Sequence, residues 1–323
     1  MLLLSCSTTS IPASPSAAWP ADELPASAAN LFAGAGAPEQ LPSQIPFLSL
    51  EGPLWIAGGG YLLFSDVVES NGPAARIYRL DPDSGRFSPF PYPSAGPTST
   101  NGLAVDTQGR LIACERYNGR LVRVEAGGVT TVLAERWPVG STGAPLSAPN
   151  DLVLRQDGNI YFTDSDWGAR RAISHARMGV YRVSPAGELS RVLDVEKPNG
   201  IVLSPDGSKL YVGSDVQAKV WRLPVDVMGG VGAPSLFIDG ASAGRLTVPD
   251  GMCVDDVGNL YIANNDDKLK AIQVFDSSGH PSGAIPMPHR PSNCSFGGAD
   301  RRTLYVTTLN ALYQVRMPLP GLP

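Results

Sequence analysis

The sequence predicts an all-β protein, a six-bladed β-propeller with a metal site on its axis. Three observations carry the fold. One unit recurs six times, seen most plainly in Asn199-Gly200-Ile201-Val202-Leu203-Ser204-Pro205-Asp206-Gly207-Ser208-Lys209-Leu210-Tyr211-Val212-Gly213: a polar residue, usually Gly, a short apolar strand, a tight turn and a second apolar strand. The copies recur at about fifty residues, the spacing of a four-stranded propeller blade. Of 323 residues, 35 are Gly and 30 Pro against 43% apolar, which suits short strands joined by turns and argues against a helical bundle.

The copies run in order along the chain. The first is Glu51-Gly52-Pro53-Leu54-Trp55, a Gly58-Gly59-Gly60 turn and Tyr61 to Asp66; the second opens at Asn101-Gly102, turns at Gln108-Gly109 and ends at Glu115. The third opens at Asn150-Asp151 and turns at Asp157-Gly158, and the fourth is the stretch at Asn199. The fifth opens at Asp250-Gly251 and turns at Val257-Gly258, and the sixth opens at Asn293-Cys294 with a turn near Ala299-Asp300. Two more strands per unit are visible after the second, third and fourth copies, for example Leu121–Val124 with Thr130–Leu133. The runs are short and continuously apolar, as expected for sheets covered on both faces by neighbouring blades. The Asp-Gly turns supply the positive φ of a tight hairpin. Ile45-Pro46-Phe47-Leu48-Ser49-Leu50 precedes the first copy and is expected to pair with the last blade and close the ring.

Composition bounds the function. A net charge of -5, with no Lys/Arg run, excludes a nucleic-acid binder. No run approaches the ~20 apolar residues that span a bilayer. Cys114 and Cys253 lie in apolar strand runs and read as buried free thiols. Met1-Leu2-Leu3-Leu4-Ser5-Cys6 resembles the end of a bacterial lipoprotein signal, with Cys6 the acylation site. That reading places the protein in the periplasm or on a lipid anchor; a meaningless tail leaves it cytoplasmic. Residues 1–43 are expected to be a Ser/Ala/Pro-rich tether and 44–323 the propeller, as a monomer or homodimer.

The first strand of a blade lies nearest the axis, so residues at the same point of every first strand form a ring around the channel. Here the ring is Glu51, Asn101, Asn150, Asn199, Asp250 and Asn293. Oxygen donors, mostly neutral with two carboxylates, suit a hard divalent cation. Asn-Gly and Asp-Gly also recur as ordinary turn pairs, but six in register point to a site.

Glu51-Gly52-Pro53-Leu54-Trp55, Pro149-Asn150-Asp151, Phe162-Thr163-Asp164, Pro198-Asn199-Gly200 and Pro249-Asp250-Gly251 resemble the SMP-30/gluconolactonase/LRE-like family, regucalcin-like lactonases, from about Glu51 to Tyr313. The resemblance implies one divalent ion in the channel, held by Glu51, Asn150, Asn199 and Asp250, with Asn101 lining the pocket. It implies Ca²⁺ first, with Zn²⁺, Mn²⁺ or Mg²⁺ as alternatives. It implies opening of a small sugar-like lactone to its hydroxy acid, the ion polarising the carbonyl and Asp250, or else Glu51, activating water. Two departures fall on expected substrate contacts: Ala148 stands where mammalian members carry Arg, and Ser165-Asp166-Trp167-Gly168 where many bacterial members carry Pro-Pro-Tyr-Gly.

Other patterns weigh less. Gly240-Ala241-Ser242-Ala243-Gly244 matches G-x-S-x-G without the strand-turn-helix setting of a nucleophile elbow. His175, His280 and His289 stand in no metal-binding spacing and read as loop residues, with His175 a candidate cap on the channel. Trp137 to Pro149 and Trp167 to Met178 are the longest irregular stretches and candidate lids, and Asn150 and Trp167 are candidate substrate contacts. Two other functions use the same ring: an arylesterase or phosphotriesterase, and a non-enzymatic ligand-binding propeller with a structural ion.

Overall fold

A computed structural model describes residues 32, 34–67, 76–93, 98–140, 143–167, 178–243 and 245–322. Cys6, His175 and most of the stretch from Trp167 to Met178 lie outside them. Each repeat folds into a four-stranded antiparallel sheet, giving six blades. The first strands are Leu50–Ile56, Thr100–Val105, Ala148–Leu154, Pro198–Leu203, Pro249–Val254 and Pro291–Gly297. Each packs on the first strand of the next blade, and that of blade 6 packs on that of blade 1. Burial falls outward: the second strand of blade 2, Leu111–Glu115, is wholly buried, whereas the fourth strand of blade 1, Arg86–Phe90, alternates between half-buried and exposed residues with none buried.

The ring closes differently from the sequence expectation. The fourth strand of blade 6 is Glu39–Leu41, from the stretch assigned to the tether; it pairs antiparallel with Leu312–Arg316. Ile45–Leu50 instead leads into blade 1, where Phe47 packs edge-on against Phe64, Tyr78 and Phe87. Three residues with one apolar side chain suffice because an edge strand is held by backbone hydrogen bonds. Trp137 to Pro149 is also less irregular than expected, since Arg136–Trp137 pairs with Ala144–Pro145. Trp137 meets Tyr181 edge-on and packs against the core there.

The Gly after four of the six ring residues is set by the close approach of the inner strands. A Cβ on Gly200 would stand 2.2 Å from the Asp250 carbonyl oxygen, and one on Gly52 would stand 2.3 Å from that of Asn101. Gly52 also has φ +52. Ser65 and Thr163 hydroxyls bridge the same joint, donating to the Asn101 and Asn199 carbonyls at 2.7 and 2.8 Å, and Ser292 closes the circle onto the Leu50 carbonyl at 2.6 Å.

Gly200→Ala is expected to lose about 1–3 kcal/mol of stability through overpacking. Gly58→Ala, where a Cβ meets nothing within 4 Å, is expected to stay within about 0.5 kcal/mol. Urea denaturation of both variants checks this; equal stabilities would show that the inner joint is not tight.

Candidate functional site

The strand register places the site. Second strands run back to the end of the channel where the first strands begin: Leu50 pairs with Asp66, Pro149 with Asp164 and Pro249 with Asn264. Those partners fix the entering loops. Asp66 accepts the Leu48 and Ser49 N–H groups, Asp164 those of Ser147 and Ala148, and Asn264 Oδ1 those of Thr247 and Val248. The entry to each of these first strands is thereby held, and with it the ring residue.

Asn101, Asn150, Asn199, Asp250 and Asn293 are all buried. Asn101 Nδ2 donates to Asn150 Oδ1 at 2.7 Å, and Asn150 Nδ2 donates to Asn199 Oδ1 at 3.0 Å, so three blades share one directional amide chain. Asn101 Oδ1 at its head is buried with no donor. Asn265 Nδ2 donates to Asp250 Oδ2. Asn293 turns its Oδ1 to the Cys294 N–H at 2.8 Å and reaches across the axis with Nδ2 toward Asp151 Oδ2 at 3.5 Å.

Asp151 is the carboxylate of this region that the ring reading passed over. It occupies the position that is Gly in blades 1, 2, 4 and 5. Its Oδ1 would stand 2.8 Å from a Cβ on Gly102, so the channel has room for the Asp side chain because its neighbour has none. The departure from the Gly pattern was the available signal.

Three carboxylates therefore act on one another electrostatically around the axis. Burial, then the charges of Asp250 and Asp151, pushes Glu51 well above the usual carboxylate range, with Arg116 opposing. Glu51 itself is half-buried. Asp250 is pushed up to about 7, first by burial, with Asp215 and Asp151 adding and the Asn265 hydrogen bond opposing. Burial likewise pushes Asp151 up to about 7. Buried, mutually repelling carboxylates beside amide oxygens are the donor set of a hard cation. Among the described residues no three Asp, Glu, His or Cys side chains are grouped as a metal cluster. The set that fits is the mixed one, Glu51 and Asp250 with the amide oxygens of Asn150 and Asn199.

In blades 2, 4 and 5 the residue after the second strand acts on a ring carboxylate. Arg116 acts on Glu51, Asp215 acts on Asp250, and Asn265 bonds it. Arg116 Nε also donates to the Trp167 carbonyl at 2.6 Å, and Lys197 Nζ sits 4.0 Å from the Trp167 ring centroid and 2.9 Å from Asp166. One face of Trp167 is thus occupied by a cation. Ala148, at the first departure, is fully buried in its strand. On the other side, a cavity of about 830 Å³ begins one residue past the ring, at Gly52, Asp151 and Asn293, and widens to Asp106 and Asp206.

The remaining candidates stand apart. Ser242 is exposed on a single helical turn, Gly240–Ala243, after the outermost strand of blade 4, far from any elbow geometry. His280 is exposed beside Asp276, and His289 Nδ1 bonds the Tyr313 hydroxyl at 2.6 Å.

Fold and site together define a six-bladed propeller with a mixed carboxylate and amide ring on its axis. The chain belongs to the SMP-30/gluconolactonase/LRE-like family, whose model matches residues 50–310. It is 30% identical over 290 residues to a gluconolactonase of Zymomonas mobilis, covering 82% of this chain and 78% of that one. The solved structure of a gluconolactonase from Xanthomonas campestris superposes with a TM-score of 0.74 at 30% identity, covering 91% and 93% of the two chains. A calcium-binding protein, regucalcin, from Agrobacterium tumefaciens shares the fold with a TM-score of 0.72 at 22% identity, covering 89% and 96%.

Glu51, Asp151 and Asp250 have folded pKa values above their unfolded ones, so the stability they favour is full below about pH 4; that of Asp151 and Asp250 is lost as pH rises through about 7, and that of Glu51 as pH rises through its own raised pKa. Metal-free protein is expected to melt lower at pH 8 than at pH 6, and millimolar Ca²⁺ to remove most of that difference. Thermal melts with EDTA and with Ca²⁺ check this; a higher metal-free melt at pH 8 would contradict the sign.

Proposed function

We propose that the chain is a metal-dependent lactonase that opens a small sugar-like lactone to its hydroxy acid. The observation that carries the reading is the amide chain of Asn101, Asn150 and Asn199 on the inner strands together with the mutually repelling carboxylates Glu51 and Asp250, with Asn101 Oδ1 buried and unpartnered. Membership of a family that includes gluconolactonases supports the reaction class. A bound divalent cation, Ca²⁺ by its preference for oxygen donors, would supply Lewis acidity at the lactone carbonyl and balance the charge of the oxyanion.

The chain's own residues supply the rest. Asp250 accepts a proton from the attacking water; burial raises its basicity, which a cation bound beside it would lower again. Asn265 holds Oδ2 of Asp250, which fixes the orientation of the carboxylate. Asn101 Oδ1 is free to accept from a substrate hydroxyl, while its Nδ2 stays in the amide chain. Glu51 is the alternative base, and Arg116 beside it opposes its protonation. Trp167 borders the mouth and offers one ring face to a sugar ring.

Asp250→Asn is expected to lower kcat/KM on glucono-lactone by about 10²–10⁴-fold with the circular dichroism spectrum unchanged, the range of general-base catalysis. Asn101→Ala is expected to raise KM more than it lowers kcat. A pH-indicator assay on lactones, aryl esters and phosphotriesters, each with Ca²⁺, Zn²⁺, Mn²⁺ or Mg²⁺, checks both and ranks the substrates. Metal-dependent stability with no turnover on any lactone would overturn the reading in favour of a binding propeller.

A further inference from the structure

We propose that Cys253 and Cys294 are a disulfide-forming pair that staples blade 5 to blade 6 beside the ring. Their sulfur atoms stand 3.1 Å apart across the joint between two first strands. A disulfide bond is about 2.05 Å long, so closure needs a shift of roughly 1 Å. Two thiolates on a shared tetrahedral zinc, with bonds of about 2.3 Å, would stand ~3.8 Å apart, so the spacing favours a bond over a bridging metal.

The repeat makes the pair conspicuous. Cys294 follows Asn293 directly, at the position where four blades carry Gly and blade 3 carries Asp151. Cys253 lies three residues past Asp250, where the other blades carry Leu54, Ala104, Val153, Val202 and Phe296. Two unrelated positions of the repeat have each departed to Cys, on the two strands that face one another. Both residues are free and buried, 6% and 3% exposed, yet both line the cavity of about 830 Å³, which gives a small oxidant a way in. Cys114 is buried in another core cluster and serves as the internal comparison.

The chemistry balances with a peroxide as oxidant. One thiolate attacks the O–O bond, which breaks to give a sulfenic acid and, after proton uptake, one water. The second sulfur attacks the sulfenic sulfur, the S–O bond breaks, and its oxygen leaves as a second water while the S–S bond forms. The two sulfurs are oxidised and the peroxide oxygens reduced. Burial holds the Cys253 thiol well above its usual range, so the step is slow at neutral pH and faster as pH rises. The staple fixes Cys294, whose N–H holds the Asn293 amide, and is independent of the reaction proposed above.

The test uses the full chain, reduced and then incubated with hydrogen peroxide or with oxidised glutathione. The reduced, denatured chain contains four thiols. After oxidation two are expected to remain, with a tryptic species joining Cys253 to Cys294 that is two hydrogens lighter than the reduced pair. The oxidised chain is expected to melt higher, and dithiothreitol to reverse the shift. Cys253→Ser and Cys294→Ala are each expected to abolish the cross-link and the redox-dependent shift. Full thiol recovery after oxidation, a cross-link through Cys114, or a cross-link without any change in melting would overturn the proposal; wild-type chain alone gives all three readings.

Discussion

Everything about the axis depends on how closely the six inner strands approach one another. A Cβ on Gly251 would fall 1.9 Å from the Asn293 side chain, and one on Gly102 would fall 2.8 Å from the Asp151 backbone. Real Cβ contacts are never that short, so the residue after each ring position is small or else serves a purpose. The narrowness links Asn101, Asn150 and Asn199 by direct hydrogen bonds and lets Asn293 reach Asp151 from the opposite side. A wider channel would leave the same side chains as separate solvated groups. The hydroxyls of Ser65, Thr163 and Ser292 fix the joint laterally, each donating to the carbonyl of the following blade.

The blades and the ring were legible because both repeat. A polar residue, a Gly and a paired apolar run recur in register, and register is what a propeller converts into a circle. The closing strand was illegible for the opposite reason. Glu39-Gln40-Leu41 has no alternation and no turn signal, since an edge strand is selected by the backbone groups it satisfies rather than by its side chains. Arg116, Asp215 and Asn265 were also out of reach. Each falls just past a second strand, and each first strand of blades 2, 4 and 5 carries a register shift after its opening pair, such as that between Thr100 and Leu103. Counting residues cannot tell which side chain that shift turns toward the axis. The ring itself was readable; what each member bonds was not.

Asp164 and Asp250 show why residue type alone does not mark a site. Both are buried, and burial pushes each up to about 7. Asp164 accepts two backbone N–H groups and holds a loop. Asp250 accepts from the Asn265 amide and the Gly251 N–H and also faces two further carboxylates, Asp215 and Asp151. The first meets a counter-charge in Arg191; the second meets like charge, which a bound cation would relieve. The difference lies in what surrounds the carboxyl, which depends on the blade that supplies its neighbour.

The carboxylates at the axis come from alternate blades: Glu51 from blade 1, Asp151 from blade 3 and Asp250 from blade 5, with amides opening blades 2, 4 and 6 at Asn101, Asn199 and Asn293. On a sixfold frame no other arrangement of three charges keeps them as far apart. Repulsion between like charges falls with distance, while a cation on the axis attracts all three together. The intervening amides are neutral, so they fill the ring without adding to the repulsion, and they can both donate and accept. The sixfold scaffold therefore carries a threefold pattern of charge. Asp151 completes that pattern one residue beyond the ring, which is why a search confined to the opening residues of each repeat finds two of the three carboxylates.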